Sequence, residues 1–165
     1  LRKTLSFISV LLLGAGGAAK AVGHALAAAG AGRIIVCARR PERAAALAAQ
    51  LPGCGEGIVL AQDAIQQAAA ACDLLVNATP LGMAGGAESN TLAFSEAMVA
   101  QASVVFDVVA LPAETPLIRL AQQRGKQTIS GAEVIALQAV EQFALYTGVR
   151  PDNALVAEAS AFARS

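Results

Sequence analysis

The sequence carries no surplus of charge of either sign, with Lys plus Arg at 12 and Asp plus Glu at 12. That balance excludes the simplest nucleic-acid reading, in which a basic surplus collects phosphates. It equally excludes an acidic, disordered tail protein. No uninterrupted apolar run reaches transmembrane length, because Lys20 and His24 interrupt the most apolar stretch. Cysteine is scarce: Cys37, Cys54 and Cys72 are odd in number and none forms a C-x-x-C pair. A disulfide framework and a zinc site are therefore not expected, nor is any other metal. A reducing cytoplasm is the expected compartment, with the three thiols as small apolar filler. Tryptophan is absent and tyrosine occurs once.

What is present is apolar and small. The chain has 165 residues, of which 56% are hydrophobic, 15% are charged and about a quarter are alanine. That length predicts one domain, residues 1–165, and that composition can bury a core. Alanine favours helices that pack closely against Val, Ile and Leu. The N-terminus imitates a secretory signal: Arg2 and Lys3 precede an apolar run, and small residues follow at Gly14-Ala15-Gly16. Those small residues belong to a glycine pattern with its own purpose, which cleavage there would destroy.

Apolar runs recur at Ile8–Leu13, Arg33–Cys37, Cys72–Val76 and Ser103–Val109, with weaker ones at Gly57–Leu60 and Lys126–Ile129. They are short and do not alternate, as expected of strands buried on both faces of a parallel sheet. Helical stretches lie between and after them, at Gly17–Ala29, Pro41–Gln50, Asp63–Ala71, Pro116–Arg124 and Gly131–Tyr146, with a last helix starting near Pro151. Pro41 and Pro116 sit where a first helical turn tolerates proline, and Thr115 is placed to cap the helix after it. Strand and helix in alternation predict an α/β fold, a doubly wound parallel sheet of the Rossmann type. The stretch Leu81–Asn90 is the main loop, at the carboxyl edge of the sheet, where such folds bind ligands.

After the first strand, Gly14-Ala15-Gly16-Gly17-Ala18-Ala19 fits G-x-G-x-x-A. In that pattern Gly14 serves the tight turn, Gly16 the approach of a pyrophosphate, and Ala19 close helix–strand packing. The helix that follows directs free N–H groups and its positive dipole end at phosphates. The second strand ends without the acid that an NAD site places there; Ala38-Arg39-Arg40-Pro41-Glu42-Arg43 follows instead. Guanidinium groups suit a 2′-phosphate, and basic residues at a helix N-terminus are unfavourable unless an anion is present. NADP is the cofactor expected. His24, on the first helix, is assigned to the surface or to packing, and Asp107 to structural hydrogen bonding.

Several segments together resemble the shikimate/quinate dehydrogenase family, in particular its C-terminal NADP-binding domain. They are Leu11–Ala18, Ala38–Ala44, Asn77-Ala78-Thr79-Pro80-Leu81-Gly82-Met83, Phe106–Val109 with Glu114-Thr115-Pro116-Leu117, and Gly131–Gly148. The closing helix, Gly131–Gln138, looks most like the shikimate dehydrogenase-like branch. The resemblance implies reversible oxidation of a ring hydroxyl in shikimate or quinate with NADP. It implies that Gly14, Ala15, Gly16, Gly17 and Ala18 hold the pyrophosphate and that Ala38, Arg39, Arg40 and Arg43 surround the 2′-phosphate. By the same likeness Thr79 lies beside the cofactor, Val108 and Gly131 meet the nicotinamide end, and Gln138 reaches the substrate.

The sequence departs from the family in two respects. A tyrosine expected two residues after Val108 is Ala110. The family's preceding substrate domain, with its lysine–aspartate pair, is not matched, since about nine residues precede Val10. No catalytic residue is carried across, and the chain alone is expected to be inactive. Two alternatives stay open: the NADP-binding domain of a folate-linked dehydrogenase, and a regulatory dinucleotide-binding module without a catalytic domain.

Overall fold

The computed structural model describes residues 8–59 and 61–162. Arg2, Lys3 and the start of the N-terminal apolar run lie outside them, as does Leu60, the expected end of the third strand. Six parallel strands run β1 (Ser9–Leu13), β2 (Arg33–Ala38), β3 (Gly55–Val59), β4 (Leu74–Asn77), β5 (Val104–Asp107) and β6 (Gln127–Ser130). Their order across the sheet is β3-β2-β1-β4-β5-β6. The chain starts in the middle, builds outward to β3, then crosses back to β4 on the other side of β1. That reversal leaves a crevice at the carboxyl ends of β1 and β4.

Consecutive apolar residues form these strands because both faces are covered. Leu11 and Leu13 face one core, with Ile35, Leu75 and Val105, against Phe94, Met98, Val99, Leu117 and Leu120. Val10 and Leu12 face the other, with Ile34, Val36 and Val76, against Ala19, Ala44 and Leu47. The helices divide accordingly. Helices α1 (Gly17–Ala28) and α2 (Pro41–Ala48) supply the second core, and α3 (Gln62–Ala70), α4 (Glu96–Gln101) and α5 (Pro116–Gln123) supply the first. Alanines at the α1 and α2 contacts let helix and sheet backbones approach closely. Two more helices follow β6: α6 (Gly131–Thr147) and α7 (Asn153–Phe162).

The expected strands and helices appear with ends shifted by a few residues. One helix is new. Ser103 was expected to follow loop and unassigned chain, but α4 precedes it, capped by the Ser95 hydroxyl, which accepts from the Met98 N–H at 3.4 Å. Six residues are too few to display a helical period, so only the cap and Glu96 in the first turn signal it.

Candidate cofactor cleft

A cleft of about 670 Å³ opens at the carboxyl ends of β1, β2 and β4. Gly14, Ala15 and Gly16 form one wall, Ala38, Arg39, Arg40 and Arg43 another, and Thr79 to Leu81 a third. The turn out of β1 is built on Gly14, whose φ of 117° and distance of 2.7 Å from a would-be Cβ to the Ala78 carbonyl oxygen leave no room for a side chain. Its N–H donates to the Cys37 carbonyl at 2.8 Å, joining the turn to the end of β2. Gly16 and Gly17 are exposed, and a Cβ on either would meet nothing within 4 Å. The open side of this turn has room for a bound group.

The helix ends at the cleft are electropositive. No side chain caps α1, which has no acidic residue in its first turn. Its first N–H groups, on Gly17 and Ala18, therefore keep their donors for an anion. Helix α2 likewise has no side-chain cap: Arg40 is its N-cap residue and Pro41 begins it. Elsewhere α4, α5 and α6 are capped by the hydroxyls of Ser95, Thr115 and Ser130, whereas α3, with Ala61 as its N-cap residue, also has no side-chain cap. Arg39, Arg40 and Arg43 are exposed and form no ion pair among the described residues, where Arg33, Arg124 and Arg150 each pair with a glutamate. Against these three cations α2 has one acid in its first turn, Glu42, so positive charge is in excess near the helix N-termini, and a bound anion lowers that repulsion.

Behind Thr79 lies a buried polar cluster. Asn77 donates to Asp107 at 3.0 Å, and Asp107 accepts from the Thr115 hydroxyl at 2.6 Å and the Val109 N–H at 3.1 Å. Thr115 in turn accepts from the Ile118 N–H at 3.2 Å, which caps α5. Burial pushes the Asp107 carboxyl above its ordinary range, against the opposing pull of Thr115, Val109 and Asn77. The structural role expected for Asp107 is the one observed. His24 is exposed on α1 and does not line the cleft.

Not all the candidate residues meet in one place. Gly14, Ala15, Gly16, Ala38, Arg39, Arg40, Arg43 and Thr79 line the cleft, and Gly17 and Ala18 start α1 beside it. Val108 and Gly131 meet each other instead: a Cβ on Gly131 would lie 2.4 Å from the Val108 carbonyl oxygen. Gln138 is exposed on α6, beside a shallow groove with Val134, Leu137, Glu141 and Gln142. The sequence singled out neither Glu88 nor Cys37, which also line the cleft. Cys37 is legible in hindsight as the residue before the β2 terminus, whereas Glu88 lies in a loop without periodicity.

Among the described residues no cluster of three or more His, Cys, Asp or Glu is arranged to hold a metal, and no helix is long and apolar enough to cross a membrane. The family model for shikimate/quinate 5-dehydrogenase matches residues 2–114. The shikimate dehydrogenase-like protein of Haemophilus influenzae is 51% identical over 156 residues, which cover 94% of this chain and 55% of that protein. The NADP(+)-dependent shikimate dehydrogenase of Methanocella arvoryzae is 39% identical over 142 residues, covering 86% and 51% respectively. Among solved structures, the shikimate 5-dehydrogenase-like protein HI0607 superposes with a TM-score of 0.86 at 49% identity, covering 97% of this chain and 56% of that one. The chain thus spans about half the length of the curated relatives it matches. Matched over most of its length in sequence and in fold, the chain belongs to the shikimate/quinate 5-dehydrogenase family.

Proposed function

We propose that this chain is the NADP-binding part of an oxidoreductase that interconverts a ring hydroxyl and a ketone on shikimate, quinate or a close relative. The observation that carries the reading is the cleft itself. It joins an open glycine turn and an uncapped helix N-terminus to three arginines without an anionic partner among the described residues. The donor chemistry fits a pyrophosphate at Gly14–Ala18 and a second, separate phosphate at Ala38, Arg39, Arg40 and Arg43. The Methanocella relative is described as NADP(+)-dependent, which agrees with that second phosphate.

In this reading NADP supplies the hydride acceptor, and the chain's own residues bind and orient it. The glycine turn and α1 hold the pyrophosphate, the arginines select the 2′-phosphate, and Thr79 borders the cofactor. The Val108 and Gly131 backbones stand at the nicotinamide end, and Gln138 on α6 reaches toward substrate. Alcohol oxidation also needs a base for the hydroxyl proton. Among the described residues we assign none to that part, which in this reading falls to a substrate-binding domain. Helix α6 suits such a domain as a docking face: of its seventeen residues only Gly131 is buried, and Leu137, Leu145 and Tyr146 are 64%, 80% and 83% exposed. One domain per chain, with a second supplied from elsewhere in the full protein, agrees with the half-length match.

Calorimetric titration of the 165-residue chain with NADP and with NAD tests the cofactor assignment. NADP is expected to bind more tightly, and equal affinities sink the 2′-phosphate site. Assay with shikimate or quinate plus NADP is expected to give no turnover, and clear turnover sinks the need for a second domain.

A further inference from the structure

Asn77, Asp107 and Thr115 are the fully buried polar side chains among the described residues, each 0% exposed. All three stand together, at the ends of β4 and β5 and the start of α5. Removing an amide and a carboxylate from water is costly unless every polar atom is bonded, and here no buried side-chain polar atom lacks a partner. Capping α5 needs only Thr115. Of the remaining bonds, one from the Val109 N–H steadies Asp107, and those of Asn77 to Leu81 and Thr79 lead toward the cleft.

Their directions follow from which atoms can donate. Asn77 Nδ2 lies 3.0 Å from Asp107 Oδ1 and 3.2 Å from the Leu81 carbonyl oxygen, both acceptors. Asn77 Oδ1 accepts the Thr79 backbone N–H at 3.1 Å. Flipping the amide would set oxygen against oxygen on one side and N–H against N–H on the other. Asn77 Oδ1 therefore also accepts from the Thr79 hydroxyl, 2.6 Å away. The single hydroxyl proton of Thr79 is committed to Asn77. Thr79 Oγ accepts the Leu81 N–H at 3.3 Å, which leaves one of its two lone pairs; Thr79 lines the cleft, with its Cγ2 methyl beside the Gly14 turn.

We infer that Asn77, anchored by Asp107, is a positioning residue that holds the Thr79 hydroxyl as a hydrogen-bond acceptor toward the cleft. A ligand group that bonds to this oxygen must then be a donor, a hydroxyl or an amide N–H. Phosphate oxygens are excluded from this position and left to the α1 N-terminus and the arginines. A dinucleotide has suitable donors on its riboses and its carboxamide. The inference rests on the dinucleotide reading for the identity of the ligand, and deepens it by giving one wall of the cleft a polarity.

A double-mutant cycle in NADP affinity tests it, with NADP titrated against the 165-residue chain and its variants. Thr79→Val is expected to weaken binding about fivefold to tenfold, as for one lost hydrogen bond, and Thr79→Ser to bind like the native chain. Asn77→Ala is expected to weaken binding comparably, but to add nothing once Thr79→Val is present. A purely structural role for Asn77 predicts instead a full second loss in the double variant, and that result overturns the inference. Native affinity in Thr79→Val overturns it as well, and this cleft-edge variant leaves the Asn77–Asp107–Thr115 bonds in place if Asn77→Ala fails to fold. If the native chain binds neither NADP nor NAD, the dinucleotide reading fails and the inference falls with it. Native binding with an additive cycle overturns the positioning claim alone.

Discussion

Arg40 stands where most helices place a serine, threonine or aspartate. It is the N-cap residue of α2, makes no side-chain cap, and has Arg39 and Arg43 for neighbours. A residue so badly suited to the helix is informative about what the helix end is for. Arg39→Ala or Arg43→Ala is expected to weaken NADP about tenfold while changing NAD little, with equal losses counting against a 2′-phosphate contact. Stability in these variants should hold or rise slightly, since each removes a cation from a helix N-terminus. Near the end of β2, Cys37 is fully buried and its thiol is pushed up to about 11 by desolvation, from 9.0. Between those values the unfolded chain loses the Cys37 proton and the folded chain keeps it. Stability therefore falls as pH rises through that window, by about 1 kcal/mol at pH 10. Urea unfolding at pH 8 and pH 10 checks this: Cys37→Ala should lose less than the native chain over that interval. Arginine chemistry and the glycine turn were legible in the sequence because each depends on local spacing. The Asn77–Asp107–Thr115 cluster was not, since its members lie 30 and 8 residues apart and meet only where the β4–β5 register and the start of α5 bring them together.

At the scale of elements, the sheet was the easiest part to read. Strands buried on both faces are apolar along most of their length, so β1, β2, β4 and β5 stand out as short continuous runs. The edges are different. β6 alternates between exposed and half-buried residues, and it was correspondingly faint in the sequence. Helix α6 follows it at once through a capping box, in which Ser130 accepts from the Glu133 N–H and Glu133 accepts from the Ser130 N–H. Gly131, the first residue of that helix, lies against the backbone of Val108 and Val109, with 2.4 and 2.5 Å from a would-be Cβ to their oxygens. Backbone atoms cannot yield as a side-chain tip can, so Gly131→Ala must displace either β5 or the start of α6. A loss of about 1–3 kcal/mol in urea unfolding is expected. The same displacement moves the Val108 and Gly131 backbones assigned to the nicotinamide end. Gly131→Ala should therefore impair turnover in the full-length enzyme more than it impairs NADP affinity. Comparison of calorimetry on the chain with kcat on the full-length enzyme separates the two.

At the scale of the whole molecule, the two ends of the sheet order are unlike. The β1–β4 reversal is enclosed by two cores and carries the cleft, whereas α6 extends past β6 with nearly its whole length exposed. Its residues are nonetheless those of an interior helix: Ile135, Leu137, Phe143, Leu145 and Tyr146 are all at least 47% exposed. The sequence predicted this helix from its composition but could not reveal the exposure, because an apolar helix reads the same whether its partner lies in the domain or outside it. A single domain rarely leaves so many large apolar side chains of one helix in water unless something else covers them. Leu137 and Leu145 stand eight residues apart, on one face of α6. Replacing both with glutamine decides between the two uses of such a face. If the face packs within this domain, the double substitution lowers Tm sharply. If it waits for a second domain, Tm and NADP affinity stay near native, and self-association of the isolated chain in sedimentation velocity falls. The second outcome is expected, because residues 64% and 80% exposed contribute little to the core they are attached to. On the proposed reading, in which a substrate-binding domain completes the enzyme, the same substitutions should reduce the kcat of the two-domain protein and loosen its two halves, as read by protease sensitivity of the connection between them, while the cleft goes on binding NADP.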